Sequence, residues 1–106
     1  MKGKIKQYDR RMYGGGYCHR IEYWFGSDRY IYADVIPSYL RVGGESNTLY
    51  VTFGYEVLAS CGGHGGNFIP EWYRGHLTDL IREVIEYYCQ VRHRGERLVL
   101  EIDISK

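Results

Sequence analysis

The chain has 106 residues, 44% of them hydrophobic, with two prolines and a formal net charge of +1. That length folds as one domain, 1–106, burying roughly two-thirds of its unfolded surface without staples. The composition excludes a disordered or collagen-like chain, and the balanced charge opposes both a strongly basic nucleic-acid clamp and an acidic nucleic-acid mimic.

The N-terminal residues Met1-Lys-Gly-Lys-Ile-Lys6 carry charge but no apolar run, which does not fit a signal peptide. No stretch approaches the roughly 18 apolar residues of a membrane helix, so a cytoplasmic protein is the expectation. Cys18, Cys61 and Cys89 are odd in number and widely spaced, which fits free thiols rather than a disulfide framework.

The first 60 residues read as strands. Residues 4–12 alternate and end at Tyr13-Gly14-Gly15-Gly16, a turn signal, and residues 17–25 alternate up to Gly26-Ser27-Asp28. A third strand spans 29–36 and stops at Pro37. A fourth runs over 48–58, with Gly54 read as a bulge. Cys61-Gly-Gly-His64-Gly-Gly-Asn67 reads as a flexible loop. A helix over 70–94 follows, with Pro70 in its first turn and Glu71 at its positive end. Its apolar stripe is Tyr73, Leu77, Leu80, Ile81, Val84, Tyr88 and Val91, and Gly95 is its stop. Residues 98–104 alternate as a last strand. The order β-β-β-β-α-β predicts an α+β domain: one antiparallel sheet with a single long helix on one face.

One helix covers one face of a sheet. Alternation puts Tyr17, Ile21, Tyr23 and Phe25 with Ile31, Ala33, Val35, Leu49, Val51, Phe53 and Tyr55 under the helix. The opposite face then holds Arg20, Trp24, Tyr30, Tyr32 and Tyr50, mixed with Glu22, Asp34, Thr52 and Glu56. Tyrosines suit half-buried strands and cross-strand pairs for structural reasons alone. Aromatic residues beside an arginine on an uncovered face also have the composition of an interface hot spot. The expectation is a partly exposed platform for a protein partner, a second copy of the chain included. A weaker alternative is stacking of unpaired nucleic-acid bases, with Lys2, Lys4, Lys6, Arg10 and Arg11 tracking phosphates.

Other chemistry is sparse. Gly63, His64, Gly65 and Gly66 before a helix suggest an anion cradle, but the Lys-Ser/Thr of a P-loop is missing. Cys61-x2-His64 and Cys89-x3-His93 are not a common zinc pairing, so no metal is expected. Cys18 and His19 are adjacent on a strand, face opposite sides and cannot act together. Glu101 and Asp103 share one face of the last strand and read as a solvated edge.

Ile69-Pro-Glu-Trp-Tyr-Arg-Gly75, a helix to Gly95 and Arg97-Leu-Val-Leu-Glu-Ile102 resemble the acyl-CoA-binding core of the GNAT acetyltransferases. In that family a strand, an Arg/Gln-x-x-Gly-x-Gly/Ala turn, a long helix and a strand wrap the CoA pyrophosphate. The resemblance implies Arg74 and Gly75 at the start of the turn, with His76-Leu77-Thr78-Asp79 in place of the family's further glycines. The leading expectation is a small non-enzymatic binding protein without a cofactor. Its size suits an accessory protein of a phage or mobile element, such as an inhibitor of host defence. The alternative is a reduced acyltransferase or acyl-CoA-binding protein using residues 61–75.

Overall fold

The computed structural model describes residues 3–59, 62–91 and 95–104, and of residues 59, 62, 64, 91 and 104 the backbone alone. Strands β1 (Lys4–Arg11), β2 (Tyr17–Trp24), β3 (Arg29–Pro37) and β4 (Thr48–Ala59) form an antiparallel meander. The turn from β1 to β2 is closed by hydrogen bonds from Met12 N to Gly16 O and from Gly15 N to Met12 O. Gly14, Gly15 and Gly16 all have positive φ (93°, 107° and 80°), so side chains there would be strained.

Beyond β4 the expected topology needs three corrections. Gly62–Gly66 is strand β5, antiparallel to the end of β4, not a loop. β7 (Arg97–Glu101) pairs in parallel with the start of β4, so the sheet is mixed. Both strands use the same edge of β4, one at each end. That is affordable only because β4 is twelve residues long. The last predicted strand also divides at Ile102. Asp103–Ile104 (β8) leaves the main sheet and pairs with Phe68–Ile69 (β6), so Glu101 and Asp103 belong to different sheets.

The helix is a 3-10 turn over Glu71–Tyr73 leading into α1 (Arg74–Val91). The predicted cap residues Arg92, His93 and Arg94 lie outside the described residues. Gly95 has a φ of 72°, in the left-handed region that favours glycine. Leu77, Leu80 and Val84 of α1 are buried with Tyr73 against Ile21, Tyr23, Ile31, Ala33, Val35, Leu49, Val51 and Phe53. Ile81 and Tyr88 pack at the margin of this core. The face expected under the helix is therefore the core face. Tyr17 is an exception, exposed at the start of β2, and Tyr55 is half-buried. No helix among the described residues is long and apolar enough to cross a membrane.

Candidate functional site

The meander's register builds the face turned away from α1. Trp24 stands between Lys4 and Tyr30, and Tyr30 opposes Glu56. In the next row Lys6, Glu22, Tyr32 and Gly54 follow one another across the strands. Tyr8, Arg20, Asp34 and Thr52 form the third row. Each row therefore mixes aromatic and charged groups, and side chains lie against their neighbours.

Arg20 donates from Nε and Nη2 to the two carboxylate oxygens of Asp34 at 2.7 and 2.8 Å, and Arg10 Nη1 adds a third bond at 3.1 Å. Glu22 accepts from Tyr8 Oη at 2.5 Å and from Trp24 Nε1 at 2.9 Å. Tyr30 Oη donates to Glu56. The rings close over these bonds. Trp24 stacks on Tyr30 with centroids 4.4 Å apart, and Lys6 Nζ sits 4.7 Å from the Trp24 ring. The Arg20 guanidinium lies 3.9 Å from the centre of Tyr32.

The outcome corrects the expected exposure. With no helix among the described residues packed over them, Arg20, Glu22, Tyr30 and Asp34 are still 9%, 4%, 6% and 6% exposed. Tyr30 is thus a buried member of the group, while Trp24 and Tyr32 are half-buried. Tyr50 belongs to a separate group, where Arg41 lies 4.2 Å from its ring and its hydroxyl accepts from Glu45 N. Arg41 in turn holds Glu101 at 2.5 Å.

Burial, then the hydrogen bond and charge of Glu56, push the Tyr30 hydroxyl well above the usual tyrosine range. Burial and Glu22 push Tyr8 the same way. Burial alone would lower the Arg20 guanidinium, but Asp34 outweighs it and raises it. Cys18, on this face, is buried, and its thiol is pushed up by burial and by Asp34, away from reactive thiolate character.

Gly54 was expected as a bulge, and the β3–β4 register runs through it without interruption. The reason for glycine is overhead. A Cβ at Gly54 would stand 2.3 Å from Tyr32 Oη and 2.6 Å from the Gly66 carbonyl oxygen, so glycine lets the ring lie across β4 and lets the β5 backbone approach. The interior strand glycine was the available signal, and close approach was the reading it needed.

The residues of the expected anion or CoA loop are distributed over separate elements. Gly63, Gly65 and Gly66 are paired with Leu58, Glu56 and Tyr55 along β5. Arg74 and Gly75 open α1 and are exposed, with β6, Pro70 and the 3-10 turn in between. The His64 side chain, Cys61 and His93 lie outside the described residues, and with them both proposed metal pairs. Cys89 is exposed on α1.

Two concave regions at the ends of the helix–sheet layer were not anticipated. One, of about 250 Å³, is lined by Phe25, Asp28, Arg29, Trp72, Tyr73 and His76. The other, of about 370 Å³, gathers Asp9, Tyr17, His19, Tyr39, Tyr87 and Glu96 among its lining. Their members are scattered along the chain and carry no motif. Comparison with family models, curated proteins and solved structures finds no match to this chain.

Proposed function

We propose that this is a small non-enzymatic binding protein whose open sheet face is covered in use by a second copy of the chain. One observation carries the reading. A face with no described helix on it has buried charges of its own, given them hydrogen-bond partners and fixed its aromatic rings. A surface of this kind loses little side-chain freedom when it is covered. Its buried charges, Arg20, Asp34 and Glu22, already have hydrogen-bond partners, which lowers the usual penalty for covering ionic groups. Tryptophan, tyrosine and arginine are the residues that dominate interface energetics.

The layout of charge favours a second copy over an unrelated target. Lys4, Lys6 and Arg10 line the β1 side, and Glu56 the β4 side, while Glu101 on β7 is balanced by Arg41 and Arg97. A two-fold axis running along the strands sets Lys4 of each copy against Glu56 of the other, since both stand in one row. The small size suits an accessory role for a phage or mobile element, inhibition of host defence among them. Sedimentation of the purified chain, alone and with Trp24 and Tyr32 replaced, tests the reading. Concentration-dependent dimers lost in the variant support it, and a wild type that is monomeric and captures an unrelated protein overturns the choice of occupant.

A further inference from the structure

β1 is an outermost strand of the sheet, and among the described residues only β2 pairs with it. Its eight residues run in unbroken register, without proline or bulge. In an antiparallel pair every second residue turns its N–H and C=O away from the neighbouring strand. The outer edge of β1 is thus a row of backbone donors and acceptors able to take another strand.

The side chains along this edge decide which strand fits. Lys4, Lys6, Tyr8 and Arg10 project to the open face, and Ile5 and Asp9 to the α1 side. Asp9 is the one carboxylate of β1, and it is bonded to His19. On the open face the facing carboxylates are Glu22 of β2 and Asp34 of β3. Arg20 already holds both oxygens of Asp34, so Arg10 is a second cation on it, its side chain still 40% exposed. Lys4, Lys6, Arg10 and Arg20 therefore stand against two carboxylates, and the strip is net positive. Met1 and Lys2, ahead of the strand, lie outside the described residues and bring no side-chain carboxylate. A second copy does not suit this edge. Antiparallel pairing of β1 with itself, the open faces side by side, sets Lys4 against Arg10, Lys6 against Arg10 or Lys6 against Lys6 in the registers of longest overlap. Like charges directly opposite one another are destabilising.

Beside the same edge, on the α1 side, lies a concavity of about 230 Å³ lined by Gly3, Ile5, Tyr23, Asp79, Arg82 and Glu83. It falls short of a small-molecule site and has room for a single side chain. Ile5 and Tyr23 give it an apolar base, and Asp79 is engaged by Tyr23 Oη and Arg82. A strand added to β1 turns its side chains to the two faces in alternation, so the residue between two that face Lys4 and Lys6 turns toward this concavity. We propose that the β1 edge takes an extended acidic segment of a partner protein by strand addition. Carboxylates at every second position lie along Lys4, Lys6 and Arg10, and an aliphatic side chain between them enters the concavity beside Ile5.

The test is a titration of the full chain with a capped peptide of alternating Glu and Val, followed by amide hydrogen exchange. A protein concentration too low for dimers keeps it separate from the test of the open face. The expected result is saturable binding with slowed exchange at β1 amides, and no binding of the alternating Lys and Val peptide. Methylating the backbone nitrogens along one edge of the Glu peptide leaves its charge and removes its hydrogen bonds, and should weaken binding at least tenfold. The Lys4→Glu, Lys6→Glu double variant, still melting cooperatively, should prefer the Lys peptide. Absence of saturation, equal binding of the Lys peptide, or full affinity of the methylated peptide would overturn the proposal. A thymidine oligonucleotide bound more tightly than the Glu peptide would overturn it too, in favour of a nucleic-acid strand.

Discussion

Asp34 accepts three hydrogen bonds from two arginines and is 6% exposed, so its loss has a predictable consequence. Asp34→Ala leaves Arg20 buried without its counter-ion, and the expected cost is about 3–5 kcal/mol in chemical denaturation. Replacing both partners, as Arg20→Met with Asp34→Leu, should restore most of that stability, because no charge is then stranded. A double variant as unstable as the single one would show that the pair is not a self-contained unit. Gly54→Ala should cost roughly 1–3 kcal/mol by displacing the Tyr32 ring and crowding the Gly66 carbonyl, and Gly54→Ala with Tyr32→Ala should recover only the ring's part of it. The tyrosines also set an alkaline limit. Tyr73 is pushed up to about 12 by burial, and Tyr30, Tyr32, Tyr8 and Tyr87 are shifted in the same direction. The unfolded chain releases these protons near 10 while the folded chain keeps them, so stability should be full below that pH and fall above it. Urea melts between pH 8 and 11 check this, and Tyr30→Phe should flatten the decline.

At the level of elements, α1 holds the fold through three buried side chains at helical spacing, Leu77, Leu80 and Val84. Val84→Asp buries an unpaired carboxylate against the sheet and should unfold the domain, read as loss of a cooperative melt. The period of two in β2 and β3 and the stripe of α1 were visible in the sequence because burial on one side writes directly into residue order. Ile21 and Tyr23 against Glu22 and Trp24 is the clearest case. β5 was invisible for the opposite reason: a run of glycines has no side chains to alternate, and its pairing comes only from the free edge of β4. The direction of β7 was equally hidden, since alternation is the same in parallel and antiparallel strands. Burial of Tyr30 depends on its being placed between Trp24 and Glu56, a register that exists only once three strands have met. The residues lining the larger cavity, from Asp9 to Glu96, converge through topology and had no local signal.

The whole molecule is a mixed sheet with a helix on one side and a self-paired ionic and aromatic layer on the other. That second layer explains how the chain leaves one sheet face uncovered without presenting a broad apolar patch. It also makes function separable from folding at Trp24 and Tyr32, whose rings are half-buried rather than core. The most direct measurement is sedimentation equilibrium of the wild type beside the Trp24→Ala, Tyr32→Ala double variant, with thermal melts of both. A central aromatic in a covered face contributes roughly 2 kcal/mol or more. The wild type should therefore dimerise, and the double variant should dissociate at least tenfold more readily while still melting cooperatively. A wild type that stays monomeric at all concentrations, or a folded double variant that dimerises as before, would contradict the account.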